Sequence, residues 1–291
     1  MAGVCEGAGE SKSTFARSVF CIAGVALALL SSVVVSAQVA PPAKQCDINA
    51  LQICALHVLQ DEARIVTSPL RIQREDLLWL APFAAGTGYT LTQDASIMQD
   101  LGQDPNREKH FNTASNVVGI YAPAAYSAVG FVVGSINHDE HLRETSVLVT
   151  EAGVDSLILN TGLQYALDRQ DPKQGSQTGK FWPHGPKTWP DGTSMPSEHC
   201  INVWSFARVV AGEYPGWRTK TIVYSMATTV SFSRVLARQH FPSDVIVGST
   251  FGYLIGGLVI HQRAAGMGGI SLSSIQTANG KGIQLTYNFN H

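Results

Sequence analysis

One short stretch of the chain combines side chains that can act on a phosphate group. Ser233 and Arg234 are followed by His240, and Asp244 comes four residues after that histidine. Arginine keeps its positive charge and presents a planar set of donors that suits a phosphate oxyanion. A carboxylate four residues from an imidazole can hold the ring in one tautomer. This spacing predicts phosphoryl chemistry; the alternative is a surface loop in which Asp244 merely begins the next helix.

A second group lies upstream, from Pro196 to His199, where a proline at a predicted first helical position precedes a hydroxyl and an imidazole. Helix N-termini attract anions through their free N–H groups and the positive end of the dipole. His199 alone is readily explained as a first-turn histidine. With His240 and Arg234 on neighbouring helices, we expect one anion pocket that also contains Ser197.

The elements that position these groups are predicted to be helices. Apolar residues recur with a period close to 3.6 from His141 to Arg169, with Asn137 and Asp139 as candidate caps. The other predicted helices span Thr113 to Ile136, Pro196 to Gly212, Arg218 to Gln239 and Ser243 to Gln262. Leu77 to Phe83 begins the compact part, and a connection is predicted from there to about Asn112. This pattern predicts an all-α helical bundle with a long loop from Asp171 to Ser194.

The ends of the chain differ from this bundle. Residues 1–37 contain basic residues before an apolar stretch and predict a signal peptide or an N-terminal anchor, and therefore export to the periplasm or cell envelope. Residues 38–72 form a lead-in without assigned function, and residues 73–264 form the helical domain. In residues 265–291, apolar residues alternate with polar or small ones on both sides of Asn279-Gly280. This pattern predicts a small C-terminal β-hairpin appendage.

The composition and charge of the chain limit which classes of function are compatible with it. The net charge is -2 without a basic run, so a nucleic-acid partner is not indicated. The last helix is uncharged from Val245 to Ile260 and rich in glycine, but the other helices carry charges and the mean hydropathy is only +0.06. We expect a soluble domain or one attached to a membrane surface, with a membrane-embedded bundle as the alternative. Cys46 and Cys54 could pair, leaving Cys200 free.

The two motifs resemble those of the type 2 phosphatidic acid phosphatase and vanadium haloperoxidase superfamily, in its bacterial acid or lipid phosphatase branch. The third motif, Ser-Arg-x5-His-x3-Asp, is complete from Ser233 to Asp244. The second has Glu198 where the family has glycine. The first, Lys-x6-Arg-Pro, is degenerate: Gln164 stands in place of the lysine and Asp171 in place of the arginine.

The resemblance implies a role for each reacting group. His240 would attack phosphorus and form a phosphohistidine, and Asp244 would orient its imidazole. His199 would protonate the leaving alcohol and then activate water. The expected substrate is a phosphate monoester, including lipid phosphates.

The resemblance also implies how the phosphate is held. Ser197, the backbone around Glu198 and Arg234 would bind its equatorial oxygens. Arg169, or a lysine of the following loop (Lys173, Lys180 or Lys187), would replace the missing cations. No cofactor is expected for hydrolysis; vanadate is an expected inhibitor, and is the cofactor in the haloperoxidase branch.

Two alternatives to an active phosphatase remain open. Loss of one oxyanion contact costs about 10²-fold in rate or more, so the degenerate motif is compatible with a weakened relative that has a binding or envelope-structural role. A metal site is the other alternative, with Glu198, His199, His240 and Asp244 as ligands. We rank it last because Arg234 would oppose a cation there.

Overall fold

The computed structural model describes residues 51–185, 189–190, 192–264, 270–277 and 280–287. The helices are α1 (Leu51–Thr67), α2 (Leu77–Leu101), α3 (Pro105–Asn116), α4 (Ala122–Asn137), α5 (Glu140–Leu167), α6 (Glu198–Glu213), α7 (Trp217–Leu236) and α8 (Pro242–Ala264). Two short 3-10 turns, Ser68–Arg71 and Arg74–Asp76, precede α2, and the π-helical segment Val117–Tyr121 joins α3 to α4. The predicted all-α domain is therefore confirmed for the bundle.

The last strands, β1 (Ile270–Thr277) and β2 (Gly280–Tyr287), pair antiparallel, with Ile270 opposite Tyr287. That this hairpin is an appendage to the bundle stays a prediction. The predicted signal or anchor of residues 1–37 and the first part of the lead-in, 38–50, lie outside the described residues. Most of the rest of the lead-in is a 17-residue helix, α1, which is followed by the 3-10 turn Ser68–Arg71.

The connection predicted between Phe83 and Asn112 was wrong. This region is helical, since α2 runs on to Leu101 and α3 begins at Pro105. A glycine within a helix costs only about 1 kcal/mol, which burial of Ile97 and Met98 on one face of α2 can offset. The α3 N-terminus is well defined, because the Asp104 carboxylate accepts from the backbone N–H groups of the first turn.

Helix α6 lies at the centre of the bundle and packs against α5, α7 and α8. Its apolar residues form most of the core, and α8 approaches its backbone closely because α8 has glycines on that face. A Cβ atom on Gly248 would lie 2.7 Å from the Ser197 carbonyl oxygen, and one on Gly252 would collide with the carbonyl of Ile201. This close packing brings the first turn of α8 next to the first turn of α6.

The helix boundaries confirm one predicted cap and correct another. Asp139 caps α5, because its side chain accepts from the N–H of Leu142. The helix that carries the second motif begins at Glu198 with Ser197 as its N-cap, so Pro196 is not its first residue. Pro196 instead follows a cis peptide bond and precedes the cap. The serine and the histidine still lie at the helix N-terminus, as the sequence predicts.

Two helical stretches among the described residues are long and apolar enough to cross a membrane. They span Pro105–Asn137 and Pro242–Arg263, and the most apolar windows are 22% and 50% buried within the protein. The second is therefore also a core element. Of the cysteines in the described ranges, Cys54 is disulfide-bonded and Cys200 is buried with a free thiol.

Candidate active site

The second and third motifs meet where α6 begins, α7 ends and α8 begins. The N–H of Ser197 donates to the carbonyl oxygen of Asp244 across 3.2 Å, which joins the two helix starts directly. Arg234 on the last turn of α7 lies near enough to both imidazoles to lower their pKa values. The structure thus brings His199, His240 and Arg234 together, as the sequence predicts.

His240 is held in one tautomer with a free nitrogen. Its Nδ1 donates to the carbonyl oxygen of Ser194, 2.8 Å away, so Nε2 carries the lone pair. The residue is 7% exposed. Burial, followed by the charge of Arg234, lowers the pKa of His240 well below its ordinary value. The imidazole is therefore neutral near pH 7, as a nucleophile must be.

Asp244 does not orient His240 by a direct hydrogen bond, and this part of the expectation is corrected. Its Oδ2 lies 4.0 Å from His240 Nδ1, which is too far. The same oxygen accepts instead from the Ser194 hydroxyl at 2.6 Å and from the N–H of Phe241 at 2.9 Å. Ser194 therefore connects the two residues, because its hydroxyl binds the carboxylate and its carbonyl binds the imidazole.

Arg169 supports the third motif. It does not bind phosphate, which corrects the expectation from the sequence. Its guanidinium pairs with Asp94 at 2.7 Å, donates to the Ser243 hydroxyl at 2.7 Å and also pairs with Asp244. The side chain is 2% exposed, and its guanidinium carbon lies over the Phe241 ring, 4.4 Å from the centroid. Two carboxylates neutralise this cation, so we reassign it to a structural role.

Arg234 lies near both histidines and has an unused buried donor. Its Nη1 donates to Asn112 Oδ1 at 2.8 Å and to the Ser115 hydroxyl at 3.2 Å. Its Nε is buried without a hydrogen-bond partner. Burial lowers the pKa of Arg234 to about 10, so the group stays charged at neutral pH. An unused buried donor of a charged group is costly unless a ligand accepts from it.

His199 is fixed in the complementary tautomer. Its Nε2 lies 2.7 Å from Asn116 Oδ1, so Nε2 carries the proton and Nδ1 is the basic nitrogen. Nδ1 is buried and has no partner. Burial, with a contribution from Arg234, lowers the pKa of His199 to about 3. His199 is therefore neutral near pH 7, with the lone pair of Nδ1 available to a hydrogen-bond donor.

The α3 residues that contact these groups were missed by the sequence analysis. Asn112, Ser115 and Asn116 recur at positions i, i+3 and i+4 and thus share one helix face, which holds Arg234 and His199. The spacing was a usable signal, but the segment before Thr113 was interpreted as a connection. Asp94 on α2 and Ser194 were missed because isolated polar residues carry no pattern.

The degenerate first motif does not supply a cation here. Gln164 donates from Nε2 to the Pro196 carbonyl at 3.1 Å, next to the catalytic pocket. Asp171 accepts from the N–H of Lys173 within a turn, and the Lys173 ammonium pairs with Glu108 at 3.0 Å. Lys180 is exposed on the loop, and Lys187 lies outside the described residues. That Lys180 or Lys187 replaces a missing cation of the first motif therefore stays a prediction.

The metal-site alternative has no support in the described ranges, where no three His, Cys, Asp or Glu residues are arranged to hold a metal ion. The reason is visible in the hydrogen bonds. His240 Nδ1 is occupied by the Ser194 carbonyl, and Asp244 is occupied by Arg169 and the Ser194 hydroxyl. Glu198 is exposed and is not part of such a ligand set.

An apolar groove leads away from the first turn of α6. It has a volume of about 720 Å³ and runs between the π-helical segment, α4 and α5. Small and apolar side chains such as Ile120, Phe131 and Val149 line it, and Glu198 and Asn202 lie on its α6 side. Glu198 is its one titratable lining residue among the described side chains. The groove thus connects an apolar surface with the residue that precedes His199.

Comparison with known families agrees with the geometry. The family model described as the PAP2 superfamily matches residues 145–267, which extend from α5 past the end of α8 and include the second and third motifs. Residues 145–267 of this chain therefore match the PAP2 superfamily, and this match supports phosphatase activity. No protein of curated function matches the chain in sequence.

Two solved structures are similar to the chain at low sequence identity. LpxE from Aquifex aeolicus is 17% identical with a TM-score of 0.39, covering 58% of this chain and 94% of that one. A transmembrane PAP2-type phosphatidylglycerolphosphate phosphatase from Bacillus subtilis is 16% identical with a TM-score of 0.43, covering 72% of this chain and 94% of that one.

Proposed function

We propose that this protein hydrolyses phosphate monoesters through a phosphohistidine formed on His240. The observation that carries the proposal is a set of three buried polar atoms in the two motifs that have no hydrogen-bond partner: Ser197 Oγ, His199 Nδ1 and Arg234 Nε. Buried polar groups without partners are rare and costly. A phosphoryl group between them would supply acceptors for the arginine and the serine and a proton-transfer partner for the histidine.

In the first step, the lone pair of His240 Nε2 attacks phosphorus in line with the ester oxygen. The bond between phosphorus and that oxygen breaks, and a proton from His199 Nδ1 neutralises the leaving alkoxide. His199 must first gain this proton, which the negative charge of a bound phosphate favours because opposite charges raise a histidine pKa. Arg234, Ser197 and the free N–H groups of the first α6 turn stabilise the charge on the equatorial oxygens.

In the second step, His199, now neutral, removes a proton from a water molecule. The resulting hydroxide attacks phosphorus, the bond to His240 Nε2 breaks, and inorganic phosphate leaves. His240 returns to the tautomer that donates to the Ser194 carbonyl. We propose that no cofactor takes part and that vanadate inhibits, since it can adopt the five-coordinate geometry of the transferred phosphoryl group.

The apolar groove favours a substrate with a hydrophobic tail, such as a lipid phosphate. One wall of the groove continues into an exposed apolar surface on α4 and α5, which includes Val132, Val133 and Leu157. Exposed apolar patches of this kind mark interaction surfaces. We therefore propose that the protein acts at a membrane surface after export to the periplasm or cell envelope, with the tail of the ester in the groove.

A weakened relative that binds phosphate esters without efficient turnover is the second candidate function. It is favoured by the first motif, where Gln164 and Asp171 contribute no positive charge and Arg169 is already neutralised. Arg234 would then be the main cation for a dianionic phosphate. Such a protein would bind vanadate and release product slowly or not at all.

The proposal is tested with the full-length protein in detergent, using p-nitrophenyl phosphate and a long-chain alkyl phosphate as substrates. We expect hydrolysis of both, a higher kcat/KM for the alkyl phosphate, inhibition by vanadate and no effect of a chelator. His240→Gln should abolish turnover, whereas the matched variant His261→Ala, at an exposed histidine of α8, should retain it.

Three results separate the candidates. Turnover that persists in His240→Gln contradicts the proposed nucleophile. Vanadate binding without turnover in the wild-type protein supports the weakened relative. Equal kcat/KM values for the alkyl phosphate and a short-chain phosphate contradict the role of the groove.

A further inference from the structure

The π-helical segment between α3 and α4, Val117–Tyr121, lies directly against the imidazole of His199. A Cβ atom on Gly119 would lie 3.5 Å from His199 Cδ2, so the backbone of the segment is close to the ring. The Gly119 carbonyl oxygen accepts from Asn202 Nδ2 at 2.9 Å, which ties the segment to α6 one turn after the histidine. π-helical turns are rare and occur frequently at functional sites. The segment therefore fixes the position of the residue that precedes it, Asn116, relative to that ring.

Asn116 supplies the hydrogen-bond acceptor for one nitrogen of this imidazole. Its Oδ1 lies 2.7 Å from His199 Nε2. An amide oxygen accepts and cannot donate, so Nε2 carries the proton and Nδ1 carries the lone pair. Nδ1 is buried and has no partner. In the proposed mechanism Nδ1 transfers the proton, and it is available for this step only while an acceptor holds the proton on Nε2.

The chemical nature of this acceptor matters as much as its position. A carboxylate would fix the same tautomer, but its negative charge would also favour the imidazolium, whereas the Asn116 amide is neutral. Among the described residues, the charged and titratable groups near the ring are Arg234 on α7, His240 before α8 and the chain neighbours Glu198 and Cys200. Burial and the arginine charge oppose protonation of the ring, and the amide does not offset them. In the proposed mechanism, the imidazole therefore gains its proton together with the bound phosphate.

On the basis of the proposed function, we infer that Asn116 is a positioning residue that selects which nitrogen of His199 transfers the proton. It lies on α3, upstream of residues 145–267, which match the family model. Asn116 acts through the histidine and not on the substrate. Because its amide is neutral, it also keeps the imidazole uncharged in the ligand-free protein, and this sets the pH range in which the proton transfer works.

The first test uses the leaving group, because a misplaced general acid affects poor leaving groups most. Nitrophenolate leaves with little protonation, whereas an alkoxide needs the proton. The full-length protein in detergent is assayed with p-nitrophenyl phosphate and a long-chain alkyl phosphate. Asn116→Leu, which is similar in size but has no acceptor, should lower kcat/KM for the alkyl ester about 10-fold more than for the nitrophenyl ester, since general acid catalysis contributes about 10²–10⁴-fold. The matched variant Asn106→Leu, at an exposed asparagine of α3, should change neither value.

The second test replaces the neutral acceptor by a charged one. Asn116→Asp accepts from the same nitrogen, so it should retain most of the activity on the alkyl ester. Its negative charge should raise the pKa of His199 and move the pH profile of kcat to higher pH by about 1 unit or more. The direction is the same whether the histidine acts as acid or as base in the slow step. Asn106→Asp adds an equal charge to the same helix and should leave the profile unmoved.

The tautomer itself is observed without turnover. In ¹⁵N NMR spectra of the ligand-free, histidine-labelled protein, His199 should stay protonated on Nε2 in Asn116→Asp and should lose this single tautomer in Asn116→Leu. If Asn116→Leu does not fold, the spectrum and the pH profile of Asn116→Asp decide the question.

The outcomes separate this inference from the proposed function. An equal loss on both substrates in Asn116→Leu overturns the inference, as does an Asn116→Asp profile that coincides with that of Asn106→Asp. An unchanged tautomer of His199 in Asn116→Leu overturns it as well. A wild-type protein that hydrolyses neither substrate overturns the proposed function instead, and the spectra alone then decide whether Asn116 fixes the tautomer.

Discussion

The Nδ1 of His240 donates to the carbonyl oxygen of Ser194, and the hydroxyl of the same serine donates to Asp244. The proposed nucleophile, His240, and Asp244 are thus connected through one residue outside both motifs. Asp244 acts as a positioning residue for the loop that carries Ser194. Its second function is to neutralise Arg169, which fixes the start of α8 against α2 through Asp94.

Ser194→Ala should lower kcat about 10-fold and change KM little, because the loss of one hydrogen bond lets the carbonyl move away from His240. Ser194→Thr should restore most of the rate, and Thr193→Ala, at the exposed neighbouring residue, should resemble the wild type. Steady-state kinetics on p-nitrophenyl phosphate measure all three. A Ser194→Ala rate equal to that of Thr193→Ala would exclude this role.

Asp244→Asn should reduce stability as well as rate. Removing one partner of a buried ion pair typically costs about 3–5 kcal/mol, and Arg169 would keep only Asp94. Urea unfolding of the purified variant measures the loss. An unchanged free energy of unfolding would mean that Arg169 does not depend on this carboxylate.

The tautomers and pKa values of the two histidines can be observed directly. Since burial lowers both pKa values, the ligand-free protein should keep His199 and His240 neutral from pH 8 down to pH 5. In ¹⁵N NMR spectra of histidine-labelled protein, His240 should show a protonated Nδ1 and His199 a protonated Nε2. His199→Gln and His240→Gln assign the signals. Titration of either residue near pH 6.5 would contradict the buried, neutral site.

Restoring the first motif should increase activity. Gln164 lies beside the Pro196 carbonyl, so Gln164→Lys places an ammonium group next to the pocket, and kcat/KM should rise about 10-fold. Asp171→Arg alone should add less, because residue 171 lies in a turn that it stabilises itself. Gln99→Lys, at an exposed position of α2, controls for the added charge. No gain from Gln164→Lys would mean that the pocket does not use a cation from α5.

A buried acidic cluster on α1 and α5 should make stability depend on pH. Asp155 is 0% exposed and both of its carboxylate oxygens lack a partner. Burial, then the charges of Asp61, Glu62 and Glu151, raises its pKa to about 9, with Arg263 opposing. The native state therefore keeps a proton that the unfolded chain loses above pH 4, so stability falls as the pH rises from about 4 to 9.

Asp155→Asn replaces the buried carboxyl, which must stay protonated, by a neutral amide of nearly the same volume. The melting temperature should rise by about 2–4 °C at pH 8, as expected for ~1 kcal/mol in a domain of this size, and by less at pH 5. Thermal unfolding at the two pH values measures the difference. A variant that is equally destabilised at both pH values would show that the carboxylate has a hydrogen-bonding role in the fold.

The sequence was sufficient to predict the bundle and several of the residues that meet in the candidate pocket, because helical periodicity and motif spacing are local properties. It located Ser197, His199, Arg234 and His240 at helix ends that the structure brings together. It did not predict the partner of each residue. The choice between Asp244 and the Ser194 carbonyl as acceptor for His240 depends on how a distant loop packs, and no local pattern encodes that.

Contacts between residues far apart in the chain also explain why helix α2 was missed and why Arg169 is reassigned. The glycines of α2 disfavour a helix locally, and only burial against α8 shows why Leu77–Leu101 is continuous. Arg169 was assigned to phosphate by its nearness to the first motif. In the fold, Arg169 forms an ion pair with Asp94, although the two residues lie far apart in the chain.

The central claim is that His240 is the residue that takes the phosphoryl group. The direct measurement is rapid alkaline quenching of the full-length protein during turnover of p-nitrophenyl phosphate, followed by peptide mass spectrometry. We expect an acid-labile phosphoryl group on the peptide that contains His240, with higher occupancy in His199→Gln because water attack becomes slower. Turnover without phosphorylation of His240, or phosphorylation at another residue, would contradict it.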